Sequence, residues 1–114
     1  MSNSHDSGNL LEIKVEKHLI RKEVEYTRQK RKFPDFITED ELIECKNAAT
    51  KGAPTKLIAD LYRLEVLRRE TGKRCTLIYN GPAYDQYCTT NKYFMEIRKD
   101  FPKIKVISLN EYLK

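Results

Sequence analysis

The sequence predicts an α/β domain: a mixed central sheet flanked by helices, in the order α-β-β-β-α-β-α-β. Three observations carry this expectation. Apolar residues recur at helical spacing in three stretches. Short alternating or apolar runs between them, bounded by Pro, Gly and Asn, read as strands. Two of these strands lie close enough to pair as a hairpin, whereas the later ones are separated by helices, so antiparallel and parallel pairing meet in one sheet.

The first helix is expected from about Asn9 to Lys22, where Leu11, Val15 and Leu19 recur and Ile13 and Ile20 widen the stripe. Ser7 or Asn9 would cap it, and Glu12 would lie in its first turn, where the helix dipole favours an acid. Val24 to Gln29 alternate as a strand. Pro34 interrupts, Asp35-Phe36-Ile37 forms a short second strand, and Thr38-Glu39-Asp40-Glu41 turns into a third, Leu42 to Lys46. A polar loop from Asn47 to Ala53 carries Gly52. Pro54 then opens a helix that runs to about Thr71, with Leu57, Leu61, Leu64 and Leu67 on one face and Gly72 as its C-terminal cap. Arg74 to Tyr79 is a strand stopped by Asn80-Gly81-Pro82. A further helix begins between Asp85 and Asn91, buries Phe94, Ile97 and Phe101, and ends before Pro102; the last strand is Ile104 to Leu109.

At 114 residues the chain fits one domain, expected over 9–114, with enough length for one sheet and its helices. Charged residues make up 34% and hydrophobic ones 39%, which suits a charged globular domain rather than a disordered chain. No apolar run approaches the ~20 residues needed to span a bilayer, so no membrane partner is expected. The polar start, residues 1–8, lacks the basic segment and apolar stretch of a secretory signal and is expected to be a flexible tail.

The formal net charge is +5, and a basic balance favours polyanionic partners. The charge concentrates before Pro34, in Arg28, Lys30, Arg31 and Lys32. A charged edge strand that resists aggregation would look the same. Cys45, Cys75 and Cys88 are odd in number and widely spaced, which suggests neither a zinc site nor a disulfide framework. Cys45 and Cys75 sit in apolar runs and read as small core residues; reduced thiols fit a cytoplasmic site of action. Neither His5 nor His18 has a partner pattern for acid–base catalysis. Tyrosines such as Tyr84, Tyr87 and Tyr93 could stack on bases but are expected mostly to pack.

The chemistry concentrates in Pro34-Asp35 followed, after eight residues, by Glu44-Cys45-Lys46. Strand alternation projects Glu44 and Lys46 together while Cys45 points to the other face. Asp35 lies across the hairpin from them. Two carboxylates and an ammonium would converge, a set that suits Mg²⁺ or Mn²⁺ together with water and a substrate phosphate. A Glu-x-Lys on a strand is more often a solvated face. Leu42 and Ile43 on the same strand argue for a site at a core edge, where charge needs a reason.

These residues resemble the PD-(D/E)XK nuclease superfamily, the restriction-endonuclease-like fold, whose α-β-β-β-α-β core matches the expected order from Asn9 to Leu109. The resemblance implies a divalent-metal-dependent endonuclease acting on DNA or RNA. Asp35, Glu44 and Lys46 would be its catalytic residues. Glu12, Asp35, Glu44 and the backbone carbonyl of Cys45 would be its metal ligands, with Glu16 as the alternative helix-borne acid. Arg28, Lys30 and Lys56 would hold phosphates. Gly8-Asn9-x-x-Glu12-x-x-Val15, Pro34-Asp35-Phe36-Ile37 and Ile43-Glu44-Cys45-Lys46-Asn47 further resemble toxin nuclease domains of contact-dependent inhibition. That likeness implies delivery into a target cell and an immunity protein as partner. Thr55 is followed by Lys56, a departure from the Thr-x-x-Gln-like motif of those domains. A Holliday-junction-resolvase-like or phage nuclease, working as a homodimer, shares the same core, and a catalytically inactive binding module for nucleic acid or protein is the competing class.

Overall fold

The computed structural model describes residues 4–47 and 54–114, with side chains from Leu10 to Asn47 and from Lys56 onward. Helix α1 (Ser4–Arg21) begins upstream of Asn9, so Ser7 and Asn9 lie within the helix instead of capping it, and Glu12 stands beyond its first turn. Residues 1–3 of the expected tail lie outside the described residues. The C-terminus of α1 closes without a glycine. Glu23 takes the left-handed conformation at φ 58°, and Val24 N donates to Leu19 O and Glu23 N to Ile20 O, both at 3.0 Å. This double closure is a Schellman motif. It occupies the residues expected to start the first strand, so β1 is only Tyr26–Arg28.

Strand β2 is Phe36–Thr38 and β3 is Glu41–Asn47. They pair antiparallel, with Phe36 opposite Ile43 and Ile37 opposite Leu42. Thr38 stabilises the turn: its hydroxyl accepts from Glu41 N at 2.8 Å and from Asp40 N at 3.2 Å. The expected loop from Asn47, including Gly52, falls largely on 48–53, outside the described residues. Helix α2 spans Pro54–Thr71 as expected, and Gly72, at φ 73°, donates its N–H to Arg68 O at 2.8 Å to end it. Strand β4 (Arg74–Asn80) follows.

The next helical segment starts earlier than expected and is divided. Pro82 occupies the first helical position of α3 (Pro82–Thr90), which α4 (Lys92–Arg98) follows across Asn91, whose side chain accepts from Phe94 N. Strand β5 (Ile104–Ser108) ends one residue short of Leu109, which opens a short helix, α5 (Leu109–Tyr112), capped by Ser108.

The five strands lie in the order β1-β2-β3-β4-β5. β1, β2 and β3 pair antiparallel, and β3, β4 and β5 pair parallel. Alternation along the strands divides the core between the two faces. Leu42, Cys75, Leu77 and Ile104 pack with Leu57, Leu61 and Leu64 of α2 and with Cys88 and Phe94 of α3 and α4. Phe36, Ile43 and Ile78 pack with Leu11, Val15 and Leu19 of α1 and with Leu109. The fold is therefore a mixed five-stranded sheet flanked by helices. Among the described residues no helix is long and apolar enough to cross a membrane.

Candidate active site

Extending the β2–β3 register by one residue puts Asp35 opposite Glu44, and the two are tied in both directions. Asp35 N donates to Glu44 Oε1 at 3.1 Å, and Cys45 N donates to Asp35 Oδ2 at 2.9 Å. The loop leading into Asp35 is also fixed. Gln29 N donates to Asp35 O at 2.7 Å and the Gln29 side chain donates to Pro34 O at 2.8 Å.

Alternation turns Glu44 and Lys46 towards α2, on the same face as Leu42, while Cys45 packs against the α1 side. Glu44 is 6% exposed. Lys46 Nζ lies 3.5 Å from Glu44 Oε2 and 2.9 Å from Asp60 Oδ2. The Asp60 contact is an ion pair without the alignment of a hydrogen bond, since Oδ2 is buried and accepts none. The other Asp60 oxygen accepts from Arg63 Nη1 at 3.3 Å, and the Arg63 guanidinium lies 3.9 Å over the Phe33 ring, just before Pro34-Asp35. Asp60, 2% exposed, was not singled out from the sequence. Its one signal is a lone acid inside the leucine stripe of α2, between Leu57 and Leu61.

Burial sets the electrostatics. It raises Glu44 to about 8, with the Asp35 and Asp60 charges adding to the effect and Lys46 opposing it. Burial likewise raises Asp35 to about 6, assisted by the charge of Glu12 and opposed by the Cys45 N–H and Lys46. Burial also disfavours the charge on Lys46, but Asp60 and Glu44 outweigh it and raise its proton affinity.

The helix-borne acids are engaged elsewhere. Arg28 Nη2 lies 3.3 Å from Glu12 Oε1 and Arg28 Nη1 lies 3.0 Å from Glu16 Oε1, while the Tyr26 hydroxyl donates to Glu16 Oε2 at 2.6 Å. Arg28, expected to reach for phosphate, thus turns back onto α1 on the face opposite Glu44. Lys30 and Lys56 are exposed.

Among the described residues no three His, Cys, Asp or Glu side chains gather as a metal-holding group. Strand pairing does bring together two carboxylates, Asp35 and Glu44, both pushed towards the protonated form by burial. Such a pair of hard oxygen donors fits a divalent cation that completes its coordination with water and substrate phosphate. Comparison of this chain with protein families, with curated proteins and with solved structures finds no match.

Proposed function

We propose that the chain is a divalent-metal-dependent endonuclease that hydrolyses phosphodiester bonds in nucleic acid, on a restriction-endonuclease-like core of the PD-(D/E)XK type. The observation that carries this reading is the hydrogen-bonded Asp35–Glu44 pair at the strand ends, with Glu44 buried and Lys46 beside it. Two carboxylates held this close repel each other, and each resists ionising in the absence of a cation. Mg²⁺ or Mn²⁺ bound there would polarise the scissile phosphate and lower the pKa of a coordinated water. Asp35 and Glu44 would hold the cation. The Cys45 N–H fixes the Asp35 carboxylate, and the Lys46 ammonium would orient the attacking water or meet developing negative charge. The exposed Lys30 and Lys56 are available for flanking phosphates.

The purified protein, incubated with plasmid DNA and with tRNA, is expected to cleave at least one of them with Mg²⁺ or Mn²⁺ and neither with EDTA. Asp35→Ala and Glu44→Gln are each expected to lower the rate about a hundredfold or more. Cleavage that survives EDTA, or is unaltered in Asp35→Ala, overturns the mechanism. A second reading is a non-cleaving module that grips nucleic acid or a protein through its exposed basic run. The exposed part of that run is Lys30, Arg31 and Lys32, and the reading is favoured by Lys46 already lying between two carboxylates, a network that can be purely structural. Steeply salt-dependent binding without cleavage in any metal would establish it.

A further inference from the structure

We infer that Asp60 is a positioning residue for Lys46: its carboxylate draws the ammonium away from Glu44 and fixes it beside the catalytic pair. The inference rests on the nuclease reading only for what Lys46 does, not for how it is held.

Asp60 sits between Leu57 and Leu61, both fully buried. An apolar side chain there would continue the stripe, whereas a buried carboxylate is costly unless a cation meets it. Two cations do. Arg63 takes one oxygen, but its side chain is 56% exposed, so water can replace that contact. Lys46 takes the buried oxygen at 2.9 Å, closer than its 3.5 Å approach to Glu44.

That difference in distance has a consequence. Glu44 and Lys46 lie two residues apart on one strand face, and the flexible lysine stem allows the ammonium to settle onto Glu44. Such a contact would neutralise a carboxylate the proposed site requires and would take the ammonium away from any water or phosphate. Asp60 approaches from another element, α2, and competes for the same charge. Lys46 keeps a quarter of its side chain exposed (26%), so a substrate can still reach it. Asp60 is itself nearly inaccessible, which suits a residue that acts through Lys46 and not on substrate.

The first test needs no substrate. In ¹⁵N-labelled protein, an ammonium held by a buried carboxylate exchanges its protons slowly and gives its own ¹H–¹⁵N signal, assigned by its loss in Lys46→Met. The signal is expected in the wild type, lost in Asp60→Asn and retained in Arg63→Met. A Lys46 signal unchanged in Asp60→Asn overturns the inference. The second test is kinetic, at saturating Mg²⁺ or Mn²⁺ on whichever substrate the wild type cleaves. Asp60→Asn is expected to lower kcat about tenfold or more while KM stays within about twofold. It should add nothing to the loss in Lys46→Met. A wild-type kcat, or a loss that adds in full to that of Lys46→Met, overturns it. If Asp60→Asn does not fold, Asp60→Glu serves. It keeps the charge but displaces it, and is expected to shift the ammonium signal and lower kcat; a wild-type signal and kcat would overturn the inference. Failure of the nuclease reading shows differently, as a wild type that cleaves nothing while the ammonium signal still answers to Asp60.

Discussion

The two faces of the sheet each carry an ion network, and burial separates them. Beneath α2, Glu44, Lys46 and Asp60 are linked at 2.9 and 3.5 Å with both carboxylates almost wholly out of water. On the α1 face, Arg28 meets Glu12 and Glu16 at 3.3 and 3.0 Å, with all three side chains about a quarter exposed. The residue types and distances are alike. Charges desolvated beneath α2 must be balanced by one another, so each is sensitive to losing its partner. Charges at the α1 surface can turn to water and are screened by salt, so their pairing is worth little. The first network is where the proposed chemistry would be done; the second fastens a short strand to a helix.

Removing the central cation from each network is the strongest way to break this comparison. Lys46→Met leaves the buried Asp60 with only its solvent-exposed Arg63 contact and is expected to cost about 3 kcal/mol near neutral pH. Arg28→Met removes a guanidinium that is about a quarter exposed and is expected to cost about 1 kcal/mol or less. Urea unfolding of both variants measures the difference. Equal losses would mean that burial is not what distinguishes the networks.

Acidity sharpens the same contrast. The folded protein holds the Glu44 proton up to about 8 and the Asp35 proton up to about 6, against ordinary values of 4.5 and 3.8. For an acid with a raised folded pKa, the contribution to stability is fully present below its ordinary value. It is lost as pH rises through the folded value. The metal-free protein should therefore lose several kcal/mol between pH 5 and about pH 8. Glu44→Gln should flatten the upper part of that decline. If the pair binds a divalent cation, Mg²⁺ or Mn²⁺ at pH 8 should restore stability, since binding favours the ionised carboxylates. Thermal unfolding across this range, with and without metal, measures both effects; stability that rises with pH in the absence of metal would contradict the burial argument.

Parts of the fold and of the candidate site are legible in the sequence, and what is not has identifiable causes. The bounds of α2 follow from Pro54 at its start and Gly72 at its end, and the same proline signal stands at Pro82. There Asn80-Gly81-Pro82 reads equally as a turn that ends β4, so the sequence alone does not place the start of α3 at Pro82. The extent of β1 was overestimated because the Glu23 closure of α1 uses a non-glycine residue in the left-handed region. In the site, alternation on β3 was enough to aim Glu44 and Lys46 together, and the hairpin put Asp35 opposite. Asp60 was not reachable in this way. Its partner lies on another element, and only the packing of α2 on the sheet brings the two together. Arg28 belonged to a basic run that suggested phosphate contact. The acids at 12 and 16 are one helical turn apart, a spacing that offers a guanidinium two carboxylates at once.

The smallest expected effects decide whether the α1 network takes any part in the site. Glu12 is the expected helix-borne ligand and Glu16 its alternative, and both hold Arg28. They differ in reach: the charge of Glu12 is felt at Asp35, whereas Glu16 accepts from the Tyr26 hydroxyl at 2.6 Å and fastens β1. Glu16→Gln and Tyr26→Phe should each cost less than about 1 kcal/mol and leave the rate of metal-dependent cleavage unchanged. Glu12→Gln should be as mild in stability but lower cleavage about tenfold, as expected of a group that tunes a ligand at its edge. Unfolding curves and initial rates on the three variants separate these outcomes. A rate loss in Glu16→Gln as large as in Glu12→Gln would make the α1 network a working part of the site, and the two faces would no longer be distinct in function.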